Sequence, residues 1–198
     1  MQRRDLMAGL SASLLGWQML QPVAASDSMP ASADAIKQQL TRGGCAVLLR
    51  HAQTEPGVGD PPGFTLDVCS SQRNLSAAGQ QQSRQIGLWF SQHEFQPSAI
   101  RSSAWCRCQD TARLAFGNRF TVWPALNSFF GDNRAQEPAQ TAALRTALAQ
   151  LPQGSFEVWV THQVNITAVT GDVPAMGEAR IVRLQTQGKM QFFPLRFV

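Results

Sequence analysis

Only three histidines occur in this 198-residue chain, and two of them sit at matching places. His51 follows the apolar run Cys45-Ala-Val-Leu-Leu49 and the cation Arg50. His162 follows the apolar run Phe156-Glu-Val-Trp-Val160 and Thr161. A third short apolar stretch, Ala99-Ile100, runs into Arg101-Ser102-Ser103, and Arg107 comes shortly after within Cys106-Arg107-Cys108. A metal site built on two imidazoles would want a third imidazole or a carboxylate. The neighbours are instead arginines, which oppose a metal ion but neutralise a bound phosphoryl group through forked hydrogen bonds. Histidine is itself a nucleophile toward phosphorus, giving a phosphoramidate that water can open. That chemistry uses all of these residues at once. His93, in Ser91-Gln-His-Glu94, reads as a solvated surface residue.

Elements must bring these residues together. The two apolar runs have the length and continuity of strands covered on both faces. Between and after them lie helical patterns: Asp34–Arg42 closed by Gly43-Gly44, a segment to Phe90 capped within Asn74-Leu-Ser76, Cys106–Phe116, Thr141–Leu151 and a short helix ending at Thr170. Phe120–Trp123 reads as a strand, and Ala179–Leu184 with Met190–Phe197 as a hairpin about Gln187-Gly188. Strands alternating with helices predict an α/β fold, a single three-layer α/β/α domain with a mostly parallel central sheet. Ligands bind such sheets beyond the carboxyl ends of the strands, where His51 and His162 fall. Glu55–Arg73 is rich in proline and glycine and reads as a long functional loop, with Phe64 and Arg73 as possible ligand contacts.

The motifs resemble those of the histidine phosphatase superfamily, the group that includes the phosphoglycerate mutases. LLRHAQT is similar to the Arg-His-Gly-x-Thr signature, and RNLSAAGQQQ to the Leu-Thr-x-x-Gly-x-x-Gln helix start. IRSSAWCRCQDTA is similar to Ser-Ser-Pro-Leu-x-Arg-Ala-x-Gln-Thr-Ala, and VTHQVNI to the late Ser-His-Gly-Gly strand end. The four occur in family order and span most of Cys45–Thr170. The resemblance implies the phosphoglycerate mutase-like fold, His51 as the phosphorylated nucleophile, and Arg50 and Arg107 as the phosphoryl clamp. It implies His162 as a second group that holds and stabilises the phosphoryl group. It places Thr54 near the pocket, Ser102 in its wall, and Arg101 beside it. Ala52, Ala104 and Asp110 depart from the pattern harmlessly. Asn127 stands where many members carry a glutamate that protonates the leaving oxygen. Asp132 is the preferred replacement, with Glu137, Asp60 and Asp67 as alternatives.

Export is the second expectation. Arg3-Arg4 precedes a moderately apolar run, Leu6–Leu20, and Val23-Ala-Ala25 offers a cleavage site, so residues 1–25 read as a signal peptide of twin-arginine type. Residues 26–198 then form the catalytic domain, periplasmic or secreted, with no membrane span left after cleavage. Export permits disulfides. Cys45 reads as a buried free thiol; Cys69 is a partner for Cys106 or Cys108 that would staple the loop to a helix. A zinc site from Cys69, Cys106, Cys108 and a histidine lacks C-x-x-C spacing.

The formal charge of +4 is modest and spread along the chain. It suits an anionic ligand better than nucleic acid. The expected activity is that of an exported phosphatase of the histidine acid phosphatase type, hydrolysing phosphate monoesters through phospho-His51 with no cofactor or metal. The substrate would be a phosphorylated small molecule or an envelope glycan or lipid headgroup. The alternatives are a phosphoglycerate mutase-like phosphotransferase and a non-catalytic phosphate-ligand binding protein.

Overall fold

The structure is a computed structural model and describes residues 33–197; the expected signal peptide lies outside the described residues. The elements are α1 (Ala33–Arg42), β1 (Cys45–Arg50), α2 (Ala77–Gln92), β2 (Ala99–Ser102), α3 (Cys106–Phe116), β3 (Phe120–Val122), α4 (Glu137–Gln150), β4 (Phe156–Thr161), α5 (Gln163–Thr170), β5 (Ala179–Leu184) and β6 (Met190–Leu195). The sheet order is β3-β2-β4-β1-β5-β6. The β1–β4, β2–β4 and β2–β3 pairs are parallel, and β5 joins β1 and β6 antiparallel.

Strand alternation divides the core into two. On one face Cys45, Val47 and Leu49 of β1 and Val158 and Val160 of β4 pack with Leu40 of α1, Ile86 and Phe90 of α2, and Ala112 and Phe116 of α3. On the other, Ala46, Leu48 and Trp159 meet Leu144 and Leu148 of α4 and Ile166 and Val169 of α5. The three-layer α/β/α expectation holds. Among the described residues no helix is long and apolar enough to cross a membrane.

The structure sharpens the sequence reading in two helices. The fourth begins at Glu137 rather than Thr141, with Pro138 in its first turn, where the missing N–H costs nothing. The last ends at Thr170 as expected, and its start, which the sequence reading left open, falls at Gln163, directly after His162. Ser76 caps α2 by accepting a hydrogen bond from the Gly79 N–H at 3.1 Å. Gly79 itself permits a close approach: a Cβ there would lie 1.8 Å from the Gln53 carbonyl oxygen. The segment just after His51 is thus pressed against the first turn of α2.

Candidate active site

Register decides the meeting of the two histidines. β1 and β4 are adjacent and parallel, with Arg50 opposite Thr161. The next residue on each strand is a histidine. The His51 N–H donates to the Thr161 carbonyl at 3.0 Å. The imidazole centroids lie 5.4 Å apart, edge to face, and both rings are buried.

His51 Nδ1 is 2.9 Å from the Ala52 carbonyl oxygen. A carbonyl only accepts, so Nδ1 carries the hydrogen and Nε2 keeps its lone pair in the neutral ring. Burial, then the positive charge of Arg107, lower the His51 pKa to about 3. His51 is therefore held neutral at ordinary pH. The Ala52 N–H donates to Thr111 Oγ1 at 3.0 Å, fixing the strand tip to α3.

Three guanidinium groups share the site. Arg107, in the first turn of α3, donates to Asp60 at 2.7 Å. Arg50 donates to the Pro174 carbonyl at 2.8 Å, and Arg73 to the Gly57 carbonyl. The Nε of each of the three is buried and unpartnered among the described residues. Burial, followed by mutual repulsion, lowers the pKa of Arg50 and Arg73. Burial pushes the Asp60 carboxyl up, but the hydrogen bond and charge of Arg107 outweigh it and hold Asp60 as a carboxylate. Asp60 also accepts from the Arg73 N–H and the Trp105 indole N–H, each at 3.0 Å. Three cations facing one carboxylate leave a positive surplus suited to a dianion.

His162 is held from behind. Its Nε2 lies 2.8 Å from Ser103 Oγ and 3.5 Å from Cys108 Sγ. Burial, then Arg107, depress its pKa well below the usual imidazole value. Asn127 is turned to this scaffold: its Oδ1 accepts from the Ala104 N–H at 2.8 Å and the Ser103 hydroxyl at 3.2 Å. Arg50, His51, Arg73, Arg107 and His162 line one open cavity of about 640 Å³, which Phe64, Trp105, Phe130 and Met176 also line.

Three expected contacts fall elsewhere. Arg101 does not line the cavity; its guanidinium forks onto Glu157 at 2.8 and 3.0 Å and stacks 4.9 Å over Trp123. Its position on β2 points it at the neighbouring β4 carboxylate rather than beyond the strand end. Ser102 is buried and donates to the Ser103 carbonyl, so the hydroxyl that reaches His162 belongs to the next residue. Thr54 bridges to Leu75 and turns its hydroxyl toward Met176 sulfur at 3.7 Å, outside the cavity lining. Asp132 sits on a 3-10 turn, Gly131–Gln136, between cavity residues Gly131 and Asn133; its side chain lies outside the described residues. Cys69 and Cys106 form a disulfide, and Cys45 and Cys108 are buried free thiols. That bond removes two of the four ligands a zinc site would need, and no metal-binding cluster occurs among the described residues. Asp60 and Ser103 are the site residues that sequence reasoning underweighted. Asp60 is one carboxylate in a long loop, with no periodicity to place it.

A doubly wound sheet with two neutral histidines and an arginine clamp at its carboxyl edge defines a phosphoryl-handling α/β site. Residues 46–146 match the family model described as Histidine phosphatase superfamily (branch 1), and the chain belongs to that superfamily. Solved structures agree in fold. One is a Mycobacterium tuberculosis open reading frame product, 17% identical with a TM-score of 0.59, aligned over 78% of this chain and 98% of that one. Another is a mycobacterial glucosyl-3-phosphoglycerate phosphatase complexed with VO3, 17% identical with a TM-score of 0.57, over 78% and 99%. A putative alpha-ribazole-5'-P phosphatase from Escherichia coli is 16% identical with a TM-score of 0.55, over 77% and 95%. No curated protein matches the chain.

Proposed function

We propose that the protein is a phosphatase of phosphate monoesters that works through phospho-His51. The observation that carries this reading is the convergence on one cavity of three guanidinium groups, each with a buried and unpartnered Nε, and a neutral His51 whose Nε2 is free. Guanidinium groups fork onto phosphoryl oxygens through charge-assisted hydrogen bonds, and three of them on one cavity supply the positive charge a dianion needs. Names borne by structural neighbours, two of them phosphatases, fit the same chemistry.

In this mechanism Arg50, Arg73 and Arg107 seat the phosphoryl group with phosphorus facing His51 Nε2. The N–P bond forms as the P–O bond to the leaving group breaks. Asp132 gives its proton to the departing oxygen. Water then attacks phosphorus, the N–P bond breaks, phosphate leaves, and the water's proton returns to Asp132. His51 ends neutral, as it began. Arg73 gives the clamp a third arm from the long loop.

The protein is exported by the signal in residues 1–25 and acts in the periplasm or outside the cell. Its substrate is a phosphorylated small molecule or an envelope glycan or lipid headgroup. The aromatic lining of Phe64, Trp105 and Phe130 suits a leaving group with an apolar face. The test is hydrolysis of an aryl phosphate by residues 26–198, with EDTA present, beside His51→Ala. Turnover that needs His51 and survives EDTA supports the phosphatase. No turnover on any ester favours a binding protein, and transfer between positions of phosphoglycerate favours a mutase.

A further inference from the structure

Asn127 stands where the family resemblance implies a glutamate acid, yet its side chain is not at the cavity. It accepts two hydrogen bonds from the segment behind His162. The Ala104 N–H fixes which end of the amide is oxygen, because a backbone N–H can only donate. The Ser103 hydroxyl, 3.2 Å from that oxygen, then has a carbonyl to receive its proton. Cys108 is arranged in the same way. Its thiol donates to the Thr161 carbonyl at 3.6 Å. Both neighbours of His162 Nε2 thus have carbonyl oxygens to take their protons and present lone pairs to the ring.

We propose that Asn127, through Ser103 and with Cys108, locks His162 in its Nε2–H tautomer, so that Nδ1 keeps a lone pair and takes up a proton when a phosphoryl dianion binds. Nδ1 has no partner among the described residues. The two site histidines therefore hold opposite tautomers: His51 carries its hydrogen on Nδ1 and His162 on Nε2. A lone pair beside a dianion repels it. A proton from solvent on Nδ1 turns that repulsion into a charge-assisted hydrogen bond. The charged and titratable groups facing His162 are Arg50 and His51 from β1 and its tip, Arg107 and Cys108 from α3, and Asp60 from the loop. Without ligand, burial and then the arginines keep the ring neutral; a dianion seated among them offsets the arginines' charge. Asn127 is a positioning residue in this scheme, acting on the substrate only through Ser103 and His162.

The inference rests on the pocket being a phosphoryl site, but its first readout does not need a ligand. With only three histidines, long-range ¹H–¹⁵N spectra of ¹⁵N-histidine-labelled protein resolve each tautomer, and His51→Ala and His93→Gln assign the signals. In the free wild type, His162 should be protonated at Nε2 alone; protonation at Nδ1 alone overturns the proposal. Adding sulfate, which carries no proton of its own near neutrality, should protonate both nitrogens of His162. Sulfate affinity should then fall about tenfold per pH unit between pH 6.5 and 8.5, as linkage requires for one proton taken up. A pH-independent affinity, or a shift to Nδ1–H without proton uptake, overturns it. Failure of sulfate, phosphate and vanadate to bind at all would instead strike at the phosphatase reading. In Asn127→Leu the Ser103 proton is released to turn toward His162, and the pH dependence should flatten. An unchanged pH slope in folded Asn127→Leu removes Asn127 from the scheme.

Discussion

Cutting the Cys69–Cys106 bond is the sharpest perturbation of this site. The bond joins the long loop to the first residue of α3, closing 37 residues of chain. Constraining a loop of that length in the unfolded chain is worth about 4 kcal/mol on the chain-entropy relation. For a domain of this size, that predicts a melting temperature lower by about 8–15 °C in Cys69→Ser. Function should suffer as well, because the tethered loop carries Asp60 and Arg73. Asp60 orients Arg107, and the Gln72 side chain accepts from the Cys106 N–H at 2.9 Å. Freeing the loop loosens one charge-assisted hydrogen bond from Arg73, worth about 1.5–3 kcal/mol, or about 10- to 100-fold in KM. The assay is thermal unfolding and aryl phosphate kinetics for the wild type with and without reductant, beside Cys69→Ser. Reduction should mimic the variant and should not affect it further. A melting temperature within 2 °C of wild type, with KM unchanged, would refute both the stapling and the role given to the loop.

Three further outcomes are expected. Arg101→Ala should leave KM within about twofold, because Arg101 does not line the cavity, while unfolding free energy drops by about 1–3 kcal/mol as the buried Glu157 keeps only the Trp159 indole N–H; a large KM change by steady-state kinetics would restore Arg101 to the site. Stability should decline in acid: the His51 pKa falls from 6.5 to about 3 on folding, so the unfolded chain binds the extra proton and up to about 1.4 kcal/mol is lost per pH unit between those values. Urea midpoints from pH 7 to 4 should show this slope in the wild type and a shallower one in His51→Gln. Gly79→Ala should cost about 1–3 kcal/mol by urea unfolding and reduce kcat, since the new methyl must push the Gln53 backbone, two residues from His51; an unaltered kcat would separate that contact from catalysis.

Much of the architecture was legible because the patterns were strong and local. Continuous apolar runs marked β1 and β4, glycine pairs and caps marked α1 and α2, and a hairpin marked β5 and β6. The start of α5 was not legible. Gln163-Val-Asn165 has no amphipathic period, and its helix is set by following a buried strand into the sheet's edge. Ser102 and Ser103 are indistinguishable in the sequence for a related reason. Two identical neighbours differ only in which way the strand end turns them, and sequence does not carry that angle.

By itself the sequence singled out the residues proposed as nucleophile and clamp. Arg50-His51 at the end of an apolar strand, Arg107 near a helix start and His162 at a second strand end admit few other chemistries. It also determined that the strands would be central, because their side chains have nowhere polar to go. Tertiary structure decided the partnerships. Parallel register of β1 and β4 set the two imidazoles 5.4 Å apart. Loop closure brought Asp60 onto Arg107, a contact spanning 47 residues. Packing of β2 against β4 took Arg101 out of the site and gave it to Glu157. Such contacts depend on distances between elements, which periodicity and composition do not encode.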